Sequence, residues 1–391
     1  MPMLNTKLFK PQGFRCMHCQ AVFDWGNLLY KCKYCGWPLT IEYEVLEHSS
    51  KRFLALIKGA KRLWDFYPIL PIDNLHNIVT LGEGGTPLIS ATTRLTKHRF
   101  LYFKLESHNP TGSFKDRPIS VIVTFAKENN ISCVVAASSG NTGVSVAAYS
   151  AAGGLEAHIF LPGSCSPEKI ALMQSYGAIV RKVEGTFSDA VRGLQQQKIQ
   201  CINATTTLVN PLGLEGNKTI AYELAGALSK IDYIFIPIGA GPLLVGLYKG
   251  FNDLVKFGIN TQVPHLVGVQ PEGCAPIAEA FSLGLDHVEP WTKPVLTCAE
   301  GIADPLVGYE DDGTIALRCV RETEGFIVTV TDEEILSAMR ALARFAGVLA
   351  EPAGAASFAG FLKVQEKVPR DSRVVCIITG SGLKGGWKWL N

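Results

Sequence analysis

Charge of one sign is what this sequence lacks most plainly. Lysine and arginine total 37 against 35 aspartate and glutamate, a net charge of +2, so there is no electrostatic case for a nucleic-acid partner or an anionic membrane surface. Charged residues are only 18% of the chain and hydrophobic ones 47%, which excludes a disordered polymer and suits a packed enzyme. Met1 to Gln12 holds no apolar core of signal-peptide length, so no export address is expected and a cytoplasmic location follows by default. Long hydrophobic runs are missing too. The most apolar stretch, Tyr233 to Leu247, is interrupted by Gly239, Gly241 and Pro242, which fits a buried strand turning into a helix better than a membrane span. The sequence shows no repeat and no low-complexity tract. Its 391 residues exceed one ordinary core, so two domains and an accessory segment are expected.

The eleven cysteines fall into two groups. Cys16-x2-Cys19 and Cys32-x2-Cys35 are two knuckles with twelve residues between them, and two such pairs suit one tetrahedral zinc ion. Four thiolates close the coordination shell, so the expected role is structural: the ion folds a segment too small for a core of its own. A nucleic-acid role for such a ribbon would want a basic cluster, which the flanks lack. The other seven, Cys133, Cys165, Cys201, Cys274, Cys298, Cys319 and Cys376, are scattered without paired spacing and are expected as buried free thiols.

After the knuckles comes an amphipathic linker from about 43 to 73, with Leu46, Phe53, Leu54 and Ile57 at helical spacings. The rest of the chain alternates apolar runs of strand length with helical patterns. Strands are predicted at Phe100 to Leu105, Cys133 to Ala137, Ala157 to Leu161 and Ala178 to Val183, then at Tyr233 to Ile238, Leu266 to Gln270, Phe326 to Val330 and Arg373 to Ile378. Repeated βα units imply parallel sheets covered by helices. The expected fold class is therefore α/β, two parallel-sheet domains preceded by a small zinc ribbon, with the active site in the cleft between the domains at the carboxyl ends of the strands. The expected boundaries are a ribbon over 1–45, linker helices and the start of the large domain over 46–95, a smaller domain over 96–200, and the large domain over 201–391.

The chemistry is expected at Glu106 to Arg117, which reads Glu-Ser-His-Asn-Pro-Thr-Gly-Ser-Phe-Lys-Asp-Arg. A strand precedes it, and helical spacing with Pro118 in the first turn follows. Lys115 thus falls near the amino end of a helix, where the positive end of the dipole disfavours a protonated ammonium and helps make the amine nucleophilic. The alternative is a surface lysine that caps the helix, with Asp116 and Arg117 as solvated charges. Two further strand-to-helix turns carry anion-binding character, Ser138-Ser139-Gly140-Asn141-Thr142-Gly143 and Gly239-Ala240-Gly241-Pro242-Leu243, and a last turn, Thr379-Gly380-Ser381-Gly382-Leu383-Lys384-Gly385, follows the strand ending at Ile378. Backbone N–H groups at such helix starts face an anion, although Ser, Asn and Thr also serve as plain caps. The glycine run Gly82-Glu83-Gly84-Gly85 has no acidic residue closing a following strand, so a dinucleotide site is poorly supported.

Asn109 to Arg117 resembles the pyridoxal-phosphate lysine motif of threonine synthases, within the wider tryptophan-synthase-β-like family. Gly82-Glu-Gly-Gly-Thr-Pro-Leu88, Glu351-Pro-Ala-Gly354 and the amino-terminal cysteine knuckles resemble elements of the same group. The resemblance implies pyridoxal 5'-phosphate held by Lys115, its ring oxygen met by Asn141, its phosphate cradled by Gly239, Ala240, Gly241, Pro242 and Leu243, and its ring nitrogen met by Thr379. It also implies a substrate carboxylate at Ser138, Ser139, Gly140 and Thr142, a small amino-acid substrate, no nucleic-acid or membrane partner, and a homodimer. The implied reaction converts O-phosphohomoserine and water to threonine and phosphate. Two features point elsewhere in the family. Gly213 stands before Leu-Glu-Gly where related enzymes often carry a phosphate-binding arginine, with Lys169 and Lys218 as substitutes to be considered. The Gly-Ala-Gly-Pro turn and Thr297-Cys-Ala-Glu300-Gly301-Ile302-Ala303 look like the dehydratases, which leaves β-elimination or β-replacement on O-phosphoserine as an alternative. A non-catalytic zinc-ribbon binding protein is the third reading.

Overall fold

The computed structural model describes residues 7–46, 49–138, 140–162, 165, 167–184, 189–191, 194, 200–205 and 208–385. Ser139 of the expected carboxylate loop lies outside them. The chain separates into two compact units, Met1–Gly85 with Lys115–Thr219 and Thr86–Phe114 with Ile220–Asn391. It passes between them after Gly85, Phe114 and Thr219, so the lysine segment is itself divided: Phe114 belongs to the second unit and Lys115 to the first.

In chain order the described elements are β1 (Phe9–Cys16), β2 (Val22–Asp24), β3 (Leu39–Val45), α1 (Ser49–Gly59), β4 (Leu88–Ser90), β5 (Leu101–Lys104), α2 (Asp116–Glu128), β6 (Cys133–Ala137) and α3 (Asn141–Gly153). They continue with β7 (Glu156–Pro162), α4 (Pro167–Ser175), β8 (Ile179–Val183), β9 (Ile202–Asn203), α5 (Leu212–Ala227), β10 (Tyr233–Pro237), α6 (Pro242–Lys256), β11 (His265–Pro271) and α7 (Pro276–Ser282). The last are α8 (Glu310–Glu322), β12 (Ile327–Val330), α9 (Asp332–Ala346), α10 (Pro352–Val364) and β13 (Val374–Ile377).

The first unit holds two sheets. A small antiparallel one, ordered β2-β1-β3, is the ribbon. The other, ordered β8-β7-β6-β9, is parallel throughout, and β6 is buried at every position, as a parallel strand covered on both faces must be. Helix α1 lies between the ribbon and a 3-10 segment over Leu63–Ile69. It buries Phe53, Leu56 and Ile57, whereas Leu54, expected on the inner face, is 38% exposed. Positions 53, 56 and 57 share one helical face, and 54 is rotated about a quarter turn away.

Besides Leu54, the thiol expectations fail at three cysteines of this unit: Cys165 is half-buried rather than buried, and two others are not free. Cys133 and Cys201, expected as free thiols, form a disulfide with Cα atoms 4.8 Å apart. They stand side by side because β6 and β9 pair in parallel with Val134 opposite Ile202, an adjacency that 68 residues of separation conceals in the sequence. Cys274, Cys298, Cys319 and Cys376 are buried thiols, as expected.

The second unit is built on a six-stranded sheet ordered β12-β11-β10-β13-β5-β4. All pairs are parallel except the edge pair β4 and β5. Its core interleaves strand residues Phe103, Phe235 and Val269 with Phe358 and Phe361 of α10. Phe103 meets Phe358 edge-on at 5.1 Å and Phe235 meets Phe361 edge-on at 5.6 Å, the arrangement that ring quadrupoles favour. These strands end on the turns that sequence reasoning singles out.

Candidate active site and cysteine cluster

Within the first unit, Lys115 occupies the N-cap of α2 in helical conformation, and its carbonyl accepts from the Ile119 N–H at 3.2 Å. The alternative in which its neighbours are solvated charges does not hold: Asp116 and Arg117 are both fully buried. Asp116 accepts from Ser145 Oγ of α3 at 2.7 Å, and Arg117 Nη1 donates to Thr219 Oγ1 at 3.0 Å. Buried charges persist only where they are paired or hydrogen-bonded. The motif's charged tail therefore anchors the lysine turn.

Asn141 opens α3 at the carboxyl end of β6. Ser138 Oγ accepts from the N–H groups of Gly140 at 3.2 Å and Gly143 at 3.0 Å, so its hydroxyl serves as a helix cap while Asn141 sits one step further into the turn. Gly143 fits because a Cβ there would come within 3.0 Å of the Ser138 carbonyl and 2.8 Å of Met173.

The two helices are held together by a residue whose role sequence reasoning missed. Glu83, in the glycine run, is fully buried. Its carboxylate accepts from Trp64 Nε1 at 2.9 Å, Thr80 Oγ1 at 3.1 Å, the Leu81 N–H at 2.9 Å and Tyr149 Oη of α3 at 2.8 Å, together with Ser120 Oγ of α2. Burial, with Asp116 and Glu83 alongside, pushes the Tyr149 phenol far above its ordinary range, which keeps it a donor. The signal available in the sequence was an acid inside a glycine run, where no surface charge is needed.

In the second unit, Gly239 to Gly241 join β10 to α6. Gly241 has φ +90, a left-handed conformation suited to glycine, and a Cβ there would overlap Ala316. Pro242 at the first helical position has no N–H to satisfy, and the first-turn N–H groups that follow have no intrahelical acceptors. Ala240 and Leu243 are buried. Thr379, 4% exposed, follows β13, and pairing of Phe235 with Cys376 sets it level with Ile238 three residues on. The glycine turn and the threonine hydroxyl thus emerge at the same carboxyl edge of adjacent parallel strands, where α/β sheets bind ligands.

The loop before the lysine is strapped to this edge. The Phe114 N–H donates to the Thr379 carbonyl at 3.0 Å, and the Ser381 N–H donates to the Gly112 carbonyl at 2.9 Å. Thr86 Oγ1 donates to the buried Glu106 carboxylate at 2.6 Å, and Asn109 Nδ2 donates to it at 2.8 Å. Ser113 Oγ is buried without a hydrogen-bond partner among the described residues, a hydroxyl left over beside the Gly380 backbone. Within the second unit, main-chain donors at the start of α6 and a hydroxyl at the next strand end are a donor set of the kind that suits a phosphorylated pyridine ring; the first unit, by itself, offers the Lys115 amine at a helix cap.

The four knuckle cysteines converge. Their sulfurs all lie within 4.8 Å of one another, with Cys16 to Cys35 at 3.4 Å, Cys19 to Cys32 at 3.6 Å and Cys19 to Cys35 at 3.5 Å. A tetrahedral ion bound by four sulfurs holds them about 3.8 Å apart. The N–H groups of His18 and Tyr34 each reach back 3.4 Å to the first sulfur of their knuckle. Glu215 and Lys218 of the segment after Gly213 are both fully buried and pair at 2.7 Å, so Lys218 is committed to the interior of the first unit. Gly213 is itself buried in the first turn of α5.

Comparison with known proteins agrees with this chemistry. The threonine synthase of Methanocaldococcus jannaschii is 38% identical over 382 residues, covering 95% of this chain and 92% of that one. The threonine synthase of Synechocystis sp. is 36% identical over 324 residues, covering 82% of each. Among solved structures, maize serine racemase superposes with a TM-score of 0.66 at 24% identity over 78% of this chain and 90% of its own. Threonine deaminase isoform 2 from Solanum lycopersicum does so with 0.66 at 22% over 86% and 90%, and likeness at that level speaks for the fold alone. Residues 79–380 match the family described as pyridoxal-phosphate dependent enzyme. Because that match runs from the glycine run through Lys115 to Gly380, this chain belongs to the pyridoxal-phosphate dependent enzymes.

Proposed function

We propose that this chain is a threonine synthase, converting O-phosphohomoserine and water to threonine and phosphate. The observation that carries the reading is the 38% identity to a threonine synthase over 95% of the chain, which reaches well beyond the family region into the cysteine knuckles. The β-elimination alternative rests on the Gly-Ala-Gly-Pro turn, the Thr297 to Ala303 stretch and Gly213; none of these outweighs likeness of that extent.

Bound pyridoxal phosphate supplies an electron sink that acidifies the substrate's α-hydrogen. Lys115 is the catalytic residue that holds the cofactor and then takes and returns that proton; the helix start beneath it favours the neutral amine. The turn Gly239-Ala240-Gly241-Pro242-Leu243 holds the cofactor phosphate through main-chain N–H groups at the start of α6. Thr379 offers a hydroxyl to the ring nitrogen, and Asn141 offers its amide to the ring oxygen. Ser138, Ser139, Gly140 and Thr142 receive the substrate carboxylate at the start of α3. Phosphate leaves from the γ carbon, and water adds at the β carbon. A structural zinc ion sits among Cys16, Cys19, Cys32 and Cys35. The reading extends to a cytoplasmic homodimer with no nucleic-acid partner, in keeping with the net charge of +2.

The test is incubation with O-phosphohomoserine, O-phosphoserine and threonine, scored for phosphate and 2-oxo acid. Phosphate and threonine from the first substrate are expected. A 2-oxo acid from threonine, with no phosphate from either ester, would replace the synthase with a dehydratase.

A further inference from the structure

The ribbon is more than an appendage to the first unit. Among the described residues it docks on α2, which follows the lysine, on β9, and on α5. Trp25 meets Phe125 of α2 edge-on at 6.2 Å, Tyr30 Oη accepts from the Asn203 N–H of β9 at 2.9 Å, and Tyr43 Oη of β3 donates to Glu215 Oε2 of α5 at 2.7 Å. The third differs in kind, because it ends on a buried charge. The Glu215 carboxylate faces Lys218 Nζ at 2.7 Å with both side chains fully buried. That ammonium lies 4.7 Å over the Tyr43 ring and 5.6 Å over the Phe9 ring. Two ribbon strands thus close over an ion pair that has lost its water.

The ion pair is one residue from the lysine turn's own support. Gly216 packs backbone to backbone on the start of α2, where a Cβ would overlap the Arg117 carbonyl. Thr219 accepts from Arg117 Nη1 at 3.0 Å and donates to the Gly216 carbonyl at 2.6 Å. Gly216 and Thr219, each one residue after a member of the Glu215–Lys218 pair, therefore hold Arg117 and its peptide to Pro118, two residues beyond Lys115.

We propose that the ribbon is a positioning element for the catalytic lysine, with Tyr43 as the positioning residue that acts on it through the buried Glu215–Lys218 pair and the Gly216–Arg117 contact. A change in how the ribbon seats on α5 is then felt at Lys115. This rests on the reading of Lys115 as the cofactor lysine.

The experiment uses the full-length, metal-loaded protein and compares wild type, Tyr43→Phe, Glu215→Gln, the double variant and Lys115→Ala. Tyr43→Phe keeps the ring over Lys218 and removes only the hydroxyl. Expected are unchanged far-ultraviolet dichroism and metal content, cofactor affinity lowered about tenfold, altered induced dichroism of the bound cofactor, and a fall in kcat with little change in KM for O-phosphohomoserine. The double variant is expected to fall no further than Glu215→Gln alone, since both act through one contact. A cofactor spectrum that depends on Lys115 yet is unmoved by Tyr43→Phe, or two single effects that simply add, would overturn this inference alone. A cofactor spectrum indifferent to Lys115→Ala would overturn the lysine's role and the inference with it. Should Glu215→Gln fail to fold, the dichroism and cofactor affinity of Tyr43→Phe decide the matter.

Discussion

At the scale of single residues, the account turns on which charges are buried and what they hold. Lys115→Ala is expected to abolish lysine-dependent visible absorbance of added cofactor and to lower turnover by at least about a hundredfold, the lower end of what positioned acid–base groups contribute; spectra and rates on the same sample check both. Lys218→Met strands the Glu215 carboxylate without its ion-pair partner and is expected to cost about 3–5 kcal/mol in urea unfolding, with Glu215→Gln in the same chain recovering part of that loss. Lys7 supplies a pH test. Burial, opposed by Asp73 and Glu128, pulls its ammonium from an ordinary 10.5 down to about 8, while its Nζ donates to the Leu70 carbonyl at 2.7 Å. Between about 8 and 10.5 the unfolded chain keeps a proton that the folded chain has lost, so this group makes stability rise with pH across that window. Lys7→Met should flatten the rise; an unchanged pH dependence of urea unfolding would place the titration elsewhere.

At the scale of elements, the strand-and-helix alternation was legible because parallel strands buried on both faces are continuous apolar runs, as at Val134 to Ala137 and Ile234 to Ile236. The lysine's place at a helix start, the strand-to-helix glycine turn at Gly239 to Gly241 and the converging knuckles were legible because each depends on local spacing. What escaped was non-local. Nothing near Glu83 in sequence announces Tyr149, nothing near Cys133 announces Cys201, and the commitment of Lys218 to Glu215 against Tyr43 needs the ribbon to fold back on α5. Gly216 makes a test of packing against propensity. Alanine in a helix interior is worth about 1 kcal/mol over glycine, yet its Cβ would overlap the Arg117 carbonyl and cannot be accommodated without moving α5 or α2. Packing should win, so Gly216→Ala is expected to lower both thermal stability and cofactor affinity. A stabilised variant with full cofactor binding would show that α5 does not bear on the lysine turn.

At the scale of the whole molecule, the chain combines a small sheet expected to need an ion with a body expected to need a cofactor. The ribbon is three short strands, and although β1 and β3 bury Phe9, Phe14, Leu39 and Ile41, β2 between the two knuckles is wholly or half exposed, so a bound ion is expected to hold the knuckles in place. Chelation should therefore remove amide-exchange protection from residues 9–45 while β10 and β13, at the centre of the six-stranded sheet, keep theirs; protection retained over residues 9–45 would mean that the cysteine cluster is not the ribbon's fold determinant. The central claim is catalytic, and the most direct test is the stoichiometry of phosphate and threonine formed from O-phosphohomoserine by the cofactor-loaded chain, beside Lys115→Ala. Equal amounts of the two products, both lost in the variant, are predicted. Cofactor bound through Lys115 without release of phosphate would contradict the account.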